Sequence, residues 1–108
     1  MLKCVHNQIT LTRGDSAILE VSITDETGTP YVLGPDDVIL FTLKRATSTR
    51  DVLFQKRLID GAIRLSPQDT SRLEYGQYYY DVELTKADGF VATVIPPSLF
   101  TVAEEVTW

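Results

Sequence analysis

Apolar and polar residues alternate along much of this chain, and the longest clean run is 78–84. Tyr78, Tyr80, Val82 and Leu84 fall on one side of it, and Tyr79, Asp81 and Glu83 on the other. A period of two with one apolar side predicts a half-buried strand. Just ahead, Leu73-x-x-Gly76-x-Tyr78 predicts a sharp turn into that strand, with Gly76 taking a backbone angle that side chains resist. A tyrosine two residues after such a glycine is where β-sandwiches build a tyrosine corner, its hydroxyl bonded back to upstream backbone. Tyr78 and Tyr80 are therefore expected in the core and Tyr79 outside it.

The same pattern divides the rest of the chain. A short strand is predicted over 8–12, ended by Arg13-Gly14-Asp15. Residues 17–24 alternate, with Leu19, Val21 and Ile23 inward and Glu20, Ser22 and Thr24 outward. Asp25 to Pro30 is turn-forming by composition, Tyr31-Val32-Leu33 is a brief extended piece, and Gly34-Pro35-Asp36-Asp37 breaks the chain again. The most apolar segment, 38–45, predicts a central strand with Phe41 and Leu43 inward. A polar connection leads to a strand over 52–59. Asp60-Gly61 is a tight hairpin signal, and 62–66 returns with Ile63 and Leu65 on one side.

Ser66-Pro67-Gln68-Asp69-Thr70 has the residues of a helix start: serine at the cap, proline at the first position, aspartate in the first turn. One short helical turn is expected near 67–73, delivering Leu73 to the core. Ala87-Asp88-Gly89 reads as a hairpin loop, 90–95 returns antiparallel, Pro96-Pro97 interrupts it, and 99–102 resumes. Adjacent prolines cannot donate to a central ladder, so this stretch is expected at a sheet edge or a crossing between sheets. Short strands at this spacing, seven to eight of them with no long helical pattern, predict an all-β fold: a two-sheet antiparallel β-sandwich.

Length and composition narrow the reading. The 108 residues make one domain, with its core over about 8–103 and short flexible ends, and can bury about two-thirds of their chain surface. A net charge of −5, with only Lys44-Arg45 and Lys56-Arg57 as basic pairs, argues against nucleic acid as a partner. The single cysteine, Cys4, cannot close an internal disulfide. The first residues lack the apolar stretch of a signal peptide, and no run approaches the length of a membrane span. Synthesis and folding in the cytoplasm are expected.

Catalytic and metal chemistry find little to work with. His6 is the only histidine, no Gly-x-Ser-x-Gly elbow exists, and Cys4 has only His6 nearby as a base. Asp36-Asp37 could offer oxygens to calcium, but the spaced acidic ladder of a calcium loop is missing, and a solvated corner is expected instead. The glycines stand singly at turns, not in a phosphate loop. No enzyme, cofactor or metal site is expected. Arg13-Gly14-Asp15 spells an integrin-recognition tripeptide, yet between two strands it is expected to serve as a turn. The tyrosines could form a sugar platform, but alternation divides them, leaving Tyr79 and Tyr75 as the exposed candidates.

With these residues placed, the chain resembles the immunoglobulin-like domain of tailed-phage and prophage upper baseplate proteins of Gram-positive bacteria. The resemblance is carried by Ile9-x-Leu11-x-Arg13-Gly14-Asp15-Ser16, by Val21-x-Ile23-x-Asp25 with Gly28-x-Pro30-Tyr31-x-Leu33, and by Val38-x-x-Phe41-x-Leu43-Lys44. It continues through Ile63-x-Leu65-Ser66-Pro67-x-Asp69-Thr70, Leu73-x-x-Gly76-x-Tyr78-x-Tyr80-Asp81-Val82, Thr93 and Phe100-x-Val102, so it covers about residues 8–103. Against antibody domains, Tyr80 stands where the second cysteine would be, and the tryptophan of the central strand is absent. The resemblance therefore implies an immunoglobulin-like sandwich held by packing alone, with Gly76, Tyr78 and Tyr80 in structural roles.

The resemblance also implies a function: a structural, non-enzymatic module that docks to other tail or baseplate subunits in the virion, self-association into a homo-oligomer included. Docking is expected through an exposed strand edge at 99–102, represented by Leu99 and Thr101, or through an acidic face holding Tyr75, Tyr79, Asp81 and Glu83. The alternative is a carbohydrate-binding or adhesin-like sandwich in which Tyr75 and Tyr79 stack on a glycan.

Overall fold

A computed structural model describes residues 2–5, 8–21, 23, 27–32 and 34–104. Eight strands and one helical turn follow in order: β1 (Leu2–Val5), β2 (Gln8–Thr12), β3 (Ala17–Glu20), β4 (Val38–Lys44), β5 (Val52–Arg57), β6 (Ala62–Leu65), α1 (Pro67–Thr70), β7 (Gly76–Thr85) and β8 (Val91–Ala103). They make a large sheet in the order β1-β2-β8-β7-β4-β5 and a small one of β3 and β6. The fold is an all-β sandwich, as expected. Every strand pair is antiparallel apart from β2 and β8, which run parallel from Ile9↔Phe100 to Thr12↔Ala103.

The core lies where the alternation put it. Phe41 and Leu43 of β4 are buried, as are Tyr78, Tyr80, Val82 and Leu84 of β7, and Phe100 and Val102 of β8. From the small sheet come Ala17, Ile63 and Leu65, while Leu19, Val21 and Ile23 pack at the margin, half-buried. At the centre Phe41 stacks on Tyr80 at 5.2 Å and meets Phe100 edge-on at 6.2 Å, with Phe54 stacked at 5.9 Å. Tyr80 thus joins an aromatic cluster at the centre of the core, stacked on Phe41 and edge-on to Phe100 at 6.2 Å.

Turn chemistry sets the connections. Asp60 and Gly61 both have positive φ, 52° and 80°, which two-residue hairpins of this hand require. Gly76 enters β7 at φ 140°, and Tyr78 Oη donates to the Glu74 carbonyl at 2.7 Å, so the tyrosine corner is formed. At the start of α1 the Asp69 carboxylate accepts from the Ser66 amide at 2.7 Å and from Ser66 Oγ at 3.2 Å, the return half of a capping box. Leu73 packs against the core, half-buried.

Several expectations need correction. The N-terminal end is not free: residues 2–5 pair with β2, Leu2 opposite Leu11 and Val5 opposite Gln8. Tyr31 and Val32 are not part of a strand; Tyr31 donates its amide to the Ile23 carbonyl, Val32 is exposed, and Leu33 lies outside the described residues. So do His6, Ser22, Thr24, Asp25, Glu26 and the tail from Glu105. Pro96-Pro97 does not split the last strand. The partners run Tyr80↔Ser98 and then Val82↔Ile95, so both prolines stand opposite Asp81 as a bulge, on a stretch of β8 that β2 does not reach.

The 99–102 segment is not a sheet edge. Leu99 pairs with Tyr79 of β7, and Phe100 and Thr101 pair with Ile9 and Thr10 of β2, so this part of β8 is central. The neighbour on its far side came from a strand some ninety residues earlier.

Candidate functional site

The outer face of the large sheet carries most of the candidate residues. On β7 the buried set alternates with half-buried Tyr79, Asp81 and Glu83, and on β8 Leu99 and Thr101 alternate with buried Phe100 and Val102. Register brings them into rows: Lys44, Tyr79 and Leu99 lie side by side, as do Gln55, Thr42 and Asp81, and Arg57, Leu40 and Glu83. Gln55 Nε2 donates to Thr42 Oγ1 at 3.1 Å, a cross-strand tie within the second row.

One shallow depression of about 60 Å³ sits on this face, lined by Thr42, Lys44, Thr47, Tyr79, Asp81 and Pro97 among others. The proline bulge opposite Asp81 forms one wall, and the 45–51 connection forms another. Lys44 Nζ donates to the Thr49 carbonyl at 3.1 Å and so holds that connection against the sheet. Sequence reasoning found Tyr79 and Asp81 but missed Thr42, Lys44, Thr47 and Pro97. Only strand register could have brought these together.

The expected acidic face is mixed in charge. Lys44 is the register neighbour of Tyr79, and Arg57 shares a row with Glu83. Tyr75 stands apart from the group. It precedes β7 by one residue, and the Arg13 guanidinium covers its ring at 4.3 Å, so one stacking surface is already taken.

The Arg13-Gly14-Asp15 segment is a turn, as expected. Gly14 has φ 84°, the Asp15 amide donates to the Thr12 carbonyl, and the Arg13 amide donates to the Ala103 carbonyl. The Gly14 amide reaches Thr70 Oγ1 at 3.0 Å. Backbone and arginine are thus engaged within the domain, leaving the tripeptide in a poor position to act as a free recognition loop.

Asp37 is more than a solvated corner. Its Oδ2 accepts from Tyr31 Oη and from the Gly34 amide, each at 2.9 Å. The Gly34 amide, then the Tyr31 hydroxyl, hold its carboxyl below the ordinary value, assisted by the Lys86 charge and opposed by partial burial. Lys86 Nζ in turn lies over the rings of Tyr31 at 4.9 Å and Phe90 at 5.3 Å. The β7–β8 hairpin end is therefore fastened to the 31–37 connection.

Among the described residues no three His, Cys, Asp or Glu side chains gather as a metal site, and no helix is long and apolar enough to cross a membrane. No protein-family model matches the chain, and neither a curated protein nor a solved structure matches it. The fold defines the class: an all-β sandwich with a tyrosine corner and an aromatic core.

Proposed function

We propose that this chain is a non-enzymatic docking module of a phage or prophage tail baseplate, with other tail subunits as its partners and the virion as its place of work. One observation carries the reading: three of the stretches that bear the resemblance, those holding Gly14, Thr70 and Tyr78, meet at one end of the sandwich. The Gly14 amide is bonded to Thr70 Oγ1. Arg13 covers Tyr75, and Tyr78 closes its corner on Glu74. These residues build a scaffold rather than a reactive centre, in keeping with a module whose work is done by its surfaces.

The carbohydrate-binding alternative would use Tyr75 and Tyr79, of which Tyr79 lines the depression on the outer face. At about 60 Å³ that depression is far smaller than the roughly 300–1,000 Å³ of small-molecule pockets, and Tyr75 is not beside it. Flat mixed surface of this kind suits a protein partner better.

Mass spectrometry of purified virions, or of particles induced from the strain that encodes the chain, tests the proposal. The chain is expected in stoichiometric amount in the tail fraction, beside baseplate subunits. Its absence there, together with glycan-array binding lost in Tyr79→Ala, would move the assignment to a sugar binder.

A further inference from the structure

We infer that the open edge of β5 takes up an acidic, extended segment of a partner protein as an additional strand. This rests on the docking reading above and gives it a place and a chemistry. Unpaired edges are the natural sites of strand addition, and proteins normally blunt the ones they do not use.

The described edges differ in this respect. β1, β3 and β6 are four residues each, and the stretch of β8 that β2 leaves uncovered contains Pro96-Pro97 and a bulge. β5 has six residues and no proline; its one irregularity is a bulge at its start, where Val52 and Leu53, 44% and 42% exposed, stand against Lys44, and from Phe54 to Arg57 it is regular. Its inward lysine, Lys56, is not a free charge guarding the edge: Nζ lies 3.0 Å from Asp69 Oδ1, at the start of α1.

Charge selects the occupant. Between Val38 and Arg57 the chain holds Lys44, Arg45, Arg50, Lys56 and Arg57 against the single acid Asp51, in a chain whose total is −5. Lys56 pairs with Asp69 and Arg45 lies over the Tyr78 ring at 4.6 Å, so exposed Arg50 and Arg57 are the cations that face a partner here. The β4–β5 hairpin is thus a basic margin on an acidic protein. A strand alternating apolar and acidic residues would set its carboxylates on the exposed face that carries Gln55 and Arg57, and its aliphatic groups on the inner face that carries half-buried Phe54. A second copy adding through the same edge would bring two such basic margins together, and like charge opposes that contact.

The test uses the 108-residue chain, labelled with ¹⁵N, and two synthetic peptides, one alternating Glu with Val and the other Lys with Val. The Glu peptide should shift amide signals of residues 50–57 and bind more weakly as salt is raised; the Lys peptide should do neither. Both Arg50 and Arg57 are exposed, so the double variant R50E/R57E should remain folded. Its preference should pass to the Lys peptide, a reversal that unfolding cannot imitate. No binding by either peptide, equal binding by both, or signal shifts away from β5 would overturn the inference. So would concentration-dependent dimerisation in sedimentation that R50E/R57E abolishes. Such a failure would leave the baseplate reading standing on the outer sheet face. Absence of the chain from tail particles would leave the peptide result untouched.

Discussion

The Gly14 amide donates to Thr70 Oγ1 at 3.0 Å, joining two turns 56 residues apart in the chain. Thr70 is fully buried, and its hydroxyl is the side-chain group that ties α1 to the β2–β3 turn. Thr70→Val keeps the shape but removes the acceptor, leaving a partly buried amide unsatisfied. A loss of about 1–3 kcal/mol in urea denaturation is expected. The Gly14 amide should also exchange with solvent much faster in the variant. Unchanged protection at Gly14 would show that the bond does not hold this end together.

Tyr78 and its neighbour Tyr79 offer an internal comparison. Tyr78 is buried and donates to the Glu74 carbonyl at 2.7 Å; Tyr79 is half-buried on the outer face. Glu74 itself is exposed, so water can reach its carbonyl once the hydroxyl is gone. Tyr78→Phe should therefore cost about 0.5–1.5 kcal/mol, the ordinary net value of one hydrogen bond. Tyr79→Phe should be near neutral. Equal losses from the two substitutions in parallel melts would contradict the facing of β7.

The aromatic cluster predicts a gradient from centre to edge. Phe41 is fully buried and touches Phe54, Tyr80 and Phe100, whereas Phe54 lies on edge strand β5 and is only half-buried. Phe41→Ala should cost about 3–5 kcal/mol, the usual range for a buried phenylalanine. Phe54→Ala should cost clearly less, since fewer neighbours lose contact and water already reaches the site. Their effects should not add, because the rings stack on each other at 5.9 Å. Calorimetry giving the larger loss to Phe54 would displace the cluster's centre.

Much of this arrangement was legible before the fold was known, and the reasons are local ones. Alternation told the faces of β4 and β7 because a strand's side chains obey a period of two wherever one face is buried. Ser66, Pro67 and Asp69 announced α1 because capping is satisfied within a few residues. What stayed hidden was the choice of neighbour. Nothing within 99–102 says that β2 will lie beside it, or that Leu2–Val5 will extend the sheet beyond β2. The row of Lys44, Tyr79 and Leu99 was hidden for the same reason, since each comes from a different strand. Pro96-Pro97 was read correctly as incompatible with a central ladder, but a bulge absorbs both prolines without ending the strand.

Asp37 supplies the pH prediction. Its folded pKa lies below the ordinary 3.8, chiefly through the Gly34 amide and the Tyr31 hydroxyl, while in the unfolded chain the carboxyl has no such partners. A carboxylate with a depressed folded pKa contributes stability that is fully present above the unfolded value. That contribution is lost as pH falls through the folded one. Asp37→Asn keeps the size of the group but removes the titration. The variant should thus be less stable than the parent at pH 6, and the gap should narrow steadily as the pH falls below about 4. Urea melts from pH 6 to 2.5 on both proteins measure this directly. The Tyr31 ring should also loosen in the variant, seen as faster exchange of the Tyr31 amide that donates to the Ile23 carbonyl. A gap that stays constant across the acid range would mean that Asp37 acts through shape alone, and that its charge plays no part in fastening the 31–37 connection.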